Sequence, residues 1–184
     1  MDLVWAELTP VSANFLVAEK WLERPVAERG APPNLPLTRD ESRRIALRAW
    51  DGLKQAEAKT IGEELAAKKI TMGGNSLKWM EKTFGEAPFG TRNLWITLHG
   101  GGQATTEEND RNWKGYYGRY EFPPGSINVA PRAPVDAWNM WFVKPVDGLL
   151  ERLIADMVMQ RGVDPNRVYL IGRASCRERV CLLV

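Results

Sequence analysis

Residues 93–102 read NLWITLHGGG, and this stretch decides the fold. The segment NLWITL is a short, mostly apolar run of the kind that forms a buried strand. The HGGG that follows is rich in glycine, which lets backbone amides approach a bound group because no Cβ stands in the way. We therefore expect a buried strand that ends in a loop able to hold an anionic oxygen. A glycine loop that merely turns the chain is the alternative interpretation.

Strand and helix patterns alternate on the carboxyl side of this loop. Residues 127–130 (INVA) and 167–171 (RVYLI) predict two further strands. Between them, Pro145 suits the first turn of a helix and Gly162 its C-terminal cap. This helix would bury one apolar face, made of Val146, Leu149, Leu150, Leu153, Ile154, Met157 and Val158. Strands that alternate with helices predict an α/β fold in which crossovers join parallel strands.

The segment before the loop predicts one more strand. Residues 77–84 roughly alternate between apolar and polar, and residues 85–90 supply a turn. We therefore expect this strand to pair antiparallel with the strand at 93–98.

Residues 1–76 are expected to form a helical extension. Ala13–Leu22 has enough apolar positions for a short packed helix. Thr38 and Glu41 have the spacing of a capping box, which predicts the start of a long helix that ends near Lys69. No residue pattern in this region indicates a chemical function.

Composition and charge exclude several classes. With 184 residues, 44% of them apolar and 26% charged, the chain has the composition of a soluble globular protein, although an α/β enzyme commonly needs about 200–250 residues. No run reaches the roughly 18 apolar residues of a membrane span, and residues 1–10 lack a basic start, so we expect a cytoplasmic protein. The net charge of +2 comes from residues 173–184, which leaves a neutral body with no basic footprint for nucleic acid.

Residues 173–184 need an explanation of their own. They hold both cysteines, Cys176 and Cys181, so the body has no thiol for a disulfide or a zinc site. Residues 171–180, IGRASCRERV, resemble one reading frame of a common short-read sequencing adapter at every position. We therefore expect 173–184 to be a non-native tail, the alternative being a natural basic C-terminal helix.

Taken together, the HGGG loop and the segment 164–172 (DPNRVYLIG) resemble the α/β-hydrolase superfamily. The resemblance is to its predicted esterases and its phospholipase/carboxylesterase-like or prolyl-oligopeptidase-like members, and it covers about residues 77–172. It implies that 77–172 is the N-terminal half of an α/β-hydrolase sheet, mostly parallel and antiparallel at its start, preceded by the helical extension 1–76.

The resemblance also implies where the nucleophile belongs. Gly172 would be the first glycine of the G-x-S-x-G elbow, but Ala174 and Cys176 stand where serine and glycine are required. Ser175 is one place late and lies in the suspected tail. The family's acid and base follow the nucleophile, so we assign no catalytic residue within this chain.

The remaining site residues are implied by the same resemblance. Gly101 and Gly102 would supply the oxyanion hole, and His99 with Gly100 would brace the loop, with direct catalysis by His99 as the alternative. A substrate pocket or ordinary aromatic packing is expected for Tyr116, Tyr117, Tyr120, Trp138 and Trp141. A solvated acidic loop, rather than a metal site, is expected for Glu107, Glu108 and Asp110.

The function that follows is that of a serine hydrolase. The parent protein is expected to cleave small-molecule esters or related acyl bonds, and this chain is expected to be an inactive fragment of it. A non-catalytic binding domain and a prolyl-oligopeptidase-type peptidase are the alternatives. No cofactor is expected, because the triglycine lacks the GK[ST] of a P-loop and the last glycine of G-x-G-x-x-G. The oligomeric state stays open.

Overall fold

A computed structural model describes residues 11–25, 28–101, 105–137 and 139–172. The helices are α1 (Ala13–Leu22), α2 (Arg39–Ala67), α3 (Thr106–Tyr116) and α4 (Pro145–Arg161). The strands are β1 (Lys69–Met72), β2 (Asn75–Phe84), β3 (Arg92–Leu98), β4 (Ser126–Arg132) and β5 (Val163–Gly172). The chain divides within α2, between Lys59 and Thr60, into two compact units.

The first unit contains α1 and the start of α2, as predicted. The Glu41 carboxylate accepts hydrogen bonds from the backbone N–H of Ser12 at 2.7 Å and of Thr38 at 2.9 Å. The backbone N–H of Glu41 donates to the Thr38 hydroxyl at 3.3 Å, which completes the capping box. Because backbone amides of Ser12 and Thr38 stabilise its charged form, the pKa of Glu41 is lowered to about 2. Phe15 is buried in this unit.

The second unit is a five-stranded mixed sheet with the order β1-β2-β4-β3-β5. β2 pairs antiparallel with both β1 and β4, and β3 pairs parallel with both β4 and β5. The predicted α/β class is therefore confirmed, with its parallel strands in the centre and its antiparallel strands at the start. The strands expected at 127–130 and 167–171 are also present, each a few residues longer than predicted.

The predicted pairing of β2 with β3 is wrong, because β4 lies between them. Gly125, just before β4, receives a hydrogen bond from the N–H of Asn93 and donates one to the carbonyl of Phe84. Every residue of β4 is buried, so this strand gains most from having a neighbour at each edge.

The helical extension also ends earlier than predicted. α2 stops at Ala67, and residues 69–76 belong to the sheet as β1 and the start of β2. Lys68 has a φ of 50°, which breaks the helix, and Gly73 and Gly74 at 54° and 78° form the turn between β1 and β2.

Helices α3 and α4 cover opposite faces of the sheet. The Lys78 ammonium lies 5.0 Å from the ring of Trp113 in α3, whereas Glu81 pairs with Arg161 of α4 at 3.4 Å. Lys78 and Glu81 are three apart on β2, so their side chains point to opposite faces. Helix α4 begins at Pro145 and ends at Gly162, whose φ is 69°, as the sequence predicts. Among the described residues, no helix combines the length and apolar character that crossing a bilayer requires.

Candidate functional site

The HGGG loop leaves the sheet at the carboxyl end of β3, beside the ends of β4 and β5. The chain passes from β3 through α3 to β4, and from β4 through α4 to β5. Since α3 and α4 lie on opposite faces, the connections that follow the neighbouring strands β3 and β4 diverge at this edge. In open α/β sheets, a crevice for ligands forms at such a point.

His99 begins the loop and is fully buried. Its Nε2 accepts a hydrogen bond from the backbone N–H of Ala133 at 3.1 Å, so this nitrogen carries no proton. The proton then resides on Nδ1, which donates to the carbonyl of Gly100 at 2.9 Å. Burial lowers the pKa of His99, which keeps the ring neutral near pH 7. Both ring nitrogens are engaged by backbone groups, of Gly100 and of Ala133, which is the arrangement that the expected bracing role would use.

Trp141 lies on the same residue. Its indole Nε1–H donates to the carbonyl of His99 at 2.8 Å, and the two rings meet edge to face with centroids 5.4 Å apart. The sequence analysis expected either a substrate pocket or aromatic packing for Trp141, and its contacts with His99 hold the backbone at the start of the loop.

The three tyrosines for which a substrate pocket or aromatic packing was expected lie on α3 or just after it. Tyr117 donates its hydroxyl to the carbonyl of Glu81 on β2 at 3.1 Å, Tyr116 is buried on α3, and Tyr120 is exposed. Two cavities, of about 290 Å³ and about 650 Å³, have linings that include none of the predicted aromatic residues. The larger one lies between α4 and β5, over Ile96, Leu150, Ile154, Val168 and Leu170.

Gly101 is a position where only glycine fits. A Cβ built there would lie 1.8 Å from Asn109 Oδ1 and 3.1 Å from Met140 Cε. Asn109 and Met140 are themselves buried, so neither has open space to move into. The need for glycine comes from this close approach.

A buried arginine joins the elements around the loop. Arg132, at the end of β4, donates from Nε to Asp110 Oδ1 of α3 at 2.7 Å and from Nη1 to the carbonyl of Ala133 at 2.8 Å. Its Nη2 pairs with Asp136. The hydrogen bond from Arg132 lowers the pKa of Asp110.

Asp136 gathers three donors on one carboxylate. Besides Arg132, it accepts from Asn109 Nδ2 at 2.9 Å and from the Thr106 hydroxyl at 2.7 Å. Burial raises the pKa of Asp136, but the hydrogen bonds from Thr106, Arg132 and Asn109 outweigh it, and the net pKa is lowered. The segment after β4 and the N-terminal part of α3 are thereby fixed to each other beside the loop.

The acidic cluster predicted as a solvated loop is instead part of α3. Glu108 completes a capping box with Thr105, and Asp110 forms the ion pair with Arg132, while Glu107 lies in the first turn. These carboxylates were misread because the loop itself is short and the helix starts at Thr106. Within the described ranges, no group of three or more His, Cys, Asp or Glu side chains is placed to hold a metal ion.

Several predicted positions lie outside the described residues. They are Gly102 of the oxyanion hole, Trp138, and the tail 173–184 with Ala174, Ser175 and Cys176.

The sequence analysis missed Asn109, Arg132 and Asp136. One signal was available: Arg132 closely follows the apolar run 127–130, which predicts a buried strand, and a buried guanidinium requires carboxylate partners. The sequence contained no comparable signal for Asn109, whose partner Asp136 is 27 residues away.

Comparison with known proteins does not show a family for this chain. No family model, no curated protein and no solved structure matches it. The chemistry of the site therefore rests on its geometry alone. The described part of the loop places the backbone of Gly100 and Gly101 beside a neutral imidazole, and His99 is the only histidine of the sequence.

Proposed function

We propose that this chain carries the oxyanion loop of a serine hydrolase that cleaves esters or related acyl bonds of small molecules. Attack on such a bond places negative charge on one oxygen of a tetrahedral intermediate. Preorganised N–H donors at that oxygen contribute about 3–4 kcal/mol each to catalysis. The HGGG loop follows β3, the third strand along the chain, and precedes α3. Hydrolases of this class supply an oxyanion donor from the loop at this position.

The observation that carries the proposal is the register of β3 and β5. Gly172 is the pairing partner of Leu98, the residue directly before His99. A Cβ on Gly172 would lie 2.7 Å from the Leu98 carbonyl oxygen, so the two backbones approach closely at this point. The chain therefore leaves β5 beside the HGGG loop. A nucleophile two residues after Gly172 would meet the oxyanion donors there, as the elbow motif requires.

The chain as written does not complete this chemistry. Its single histidine uses both ring nitrogens to hold the loop, and Ala174 stands where the serine belongs. We infer that the natural gene continues after Gly172 with the serine, the acid and the base. The second candidate, a binding domain that keeps the pocket without a triad, requires that Ala174 belongs to the natural sequence and not to a non-native tail.

The test begins with the natural reading frame at this locus. We expect a serine two positions after Gly172 and a glycine two positions later. The protein translated from that frame is assayed with p-nitrophenyl esters and, in parallel, with peptide p-nitroanilides, which separate an esterase from a peptidase. The chain as written is expected to stay at the buffer blank.

Variants then connect activity to the loop. Gly101→Ala is expected to lower kcat/KM for the ester about 100-fold to 1000-fold, as loss of an oxyanion donor does. The matched control is Gly115→Ala, because a Cβ at this α3 position meets no atom within 4 Å, and its activity should be unchanged. A natural frame without the serine would favour the binding domain. Ester turnover by the chain as written that Ser175→Ala abolishes would overturn the proposal.

A further inference from the structure

The Asn109 side chain lies directly against Gly101 of the loop. It is on the first turns of α3 and is completely buried. Its Oδ1 is so close to Gly101 that a Cβ there would lie 1.8 Å from this oxygen. The carboxamide therefore lies against the Gly101 backbone on the side where any other residue would carry a side chain.

A hydrogen bond to Asp136 fixes the orientation of the Asn109 carboxamide. Asn109 Nδ2 donates to Asp136 Oδ1 at 2.9 Å, and Asp136 is in turn held by Arg132 and Thr106. A carboxylate has no proton to donate, so only the NH₂ end of Asn109 can face Asp136. Its oxygen is thereby directed at the loop.

We propose that Asn109, oriented by Asp136, is a positioning residue that sets the Gly101 backbone for its role as an oxyanion donor. The role as an oxyanion donor rests on the proposed function, but the experiment below does not depend on that function. Leucine would match the size of asparagine without an amide to orient, and aspartate would set a carboxylate against Asp136. The chemistry of the pair therefore requires an amide at 109.

Because Asn109 pairs with Asp136, the effect of Asn109→Asp should depend on pH. At pH 8 the two carboxylates at 109 and 136 repel each other, which displaces the side chain from the loop. Two carboxylates that share a site raise the pKa of one of them, so a proton is taken up as the pH falls. The protonated carboxyl at 109 then donates to Asp136 as the amide does. The charged or titratable groups around this site are Asp110 and Lys114 of α3, Arg132 of β4, Lys78 of β2 and the neutral His99 after β3.

The experiment measures hydrogen exchange by mass spectrometry on the chain as it stands. Exchange of the peptide that contains Gly101 is compared between variant and unaltered chain at the same pH, at pH 8 and at pH 5, which cancels the intrinsic pH dependence. We expect Asn109→Asp to exchange about tenfold to 100-fold faster than the unaltered chain at pH 8, as loss of a hydrogen bond to a charged group predicts. At pH 5 the difference should shrink to less than about threefold. Asn109→Ala has no donor and should stay fast at both pH values.

Asn128→Asp is the matched control. Asn128 is also buried, but its amide donates to the Trp95 carbonyl at 3.0 Å and to Thr97 Oγ1 at 3.1 Å, within the sheet. Asn128→Asp should accelerate hydrogen exchange in the peptides of the sheet, and it should not accelerate the Gly101 peptide more than those peptides. Should Asn109→Asp unfold at pH 8, recovery of native exchange at pH 5 supports the proposal, and an unfolded chain at both pH values contradicts it.

Two results overturn the inference. One is an Asn109→Asp chain whose Gly101 peptide exchanges like the unaltered chain at both pH values. The other is a pattern indistinguishable from that of Asn128→Asp. Neither result depends on ester hydrolysis, so failure of this inference is separate from failure of the proposed function.

Discussion

Alanine at position 101 is the substitution that the loop geometry opposes most directly. The added Cβ would lie 1.8 Å from Asn109 Oδ1, 3.0 Å from Asn109 Cγ and 3.1 Å from Met140 Cε. Asn109 can retreat only by giving up its hydrogen bond to Asp136 at 2.9 Å. Either the loop backbone or this hydrogen bond must therefore yield.

The magnitude follows from those two routes. Overpacking of a buried site costs about 1–3 kcal/mol, and loss of a hydrogen bond to a charged group costs about 1.5–3 kcal/mol. The chain takes whichever route costs less, so the costs do not add. We expect Gly101→Ala to lower the free energy of unfolding by about 1–3 kcal/mol. For a chain of this size that corresponds to a fall of about 2–12 °C in Tm.

Urea unfolding followed by circular dichroism measures this change. Gly115→Ala is the matched control, because it adds the same methyl group in α3, where no atom lies within 4 Å. The control should gain about 0.5–1 kcal/mol from the better helix propensity of alanine. A Gly101→Ala chain as stable as the unaltered one would refute the close approach of Asn109.

Three further predictions concern the ionisable side chains of His99, Arg132 and Glu41. Burial lowers the pKa of His99, so below about pH 6.5 the unfolded chain binds a proton at this residue more readily than the folded chain does, and the free energy of unfolding should fall. In urea unfolding at pH 7.5 and 5.5, His99→Gln should remove this dependence on pH. Arg132→Met should cost roughly 2–3 kcal/mol in the same assay, less than the about 3–5 kcal/mol of a fully buried pair, since the carboxylates of Asp110 and Asp136 are 32% and 29% exposed; a loss under about 1 kcal/mol would contradict the network. The pKa of Glu41 is lowered to about 2, so its stabilising contribution is present above about pH 4.5 and is lost as the pH falls towards 2; Glu41→Gln should flatten that part of an acid titration of helix content, and an unchanged titration would contradict the capping role.

The features that sequence predicts well here are local ones. The capping box of Thr38 and Glu41 and the Gly162 cap depend on residues a few positions apart, so their spacing alone indicates them. The apolar runs of β3 and β4 are equally local, because a buried strand requires apolar side chains whichever strand it pairs with.

Partner choice is what the sequence did not indicate. β4 enters between β2 and β3 although a turn joins β2 to β3 directly, and the apolar pattern of a strand does not name its neighbour. The β1 strand is only four residues long and follows a 29-residue helix, so its pattern is too short to read. The contacts that support the loop could not be predicted from the sequence for the same reason, because Asn109 and Asp136 meet only once α3 has packed beside β4.

The most direct test of the account is covalent labelling with a fluorophosphonate, which reacts with an activated serine. The protein translated from the natural reading frame is labelled, digested and analysed by mass spectrometry, with the heat-denatured protein as the control. We predict one labelled serine, two residues after Gly172 and beside the HGGG loop. A folded protein that takes up no label, or a label on a serine remote from Gly172, would contradict the assignment of this loop to acyl hydrolysis.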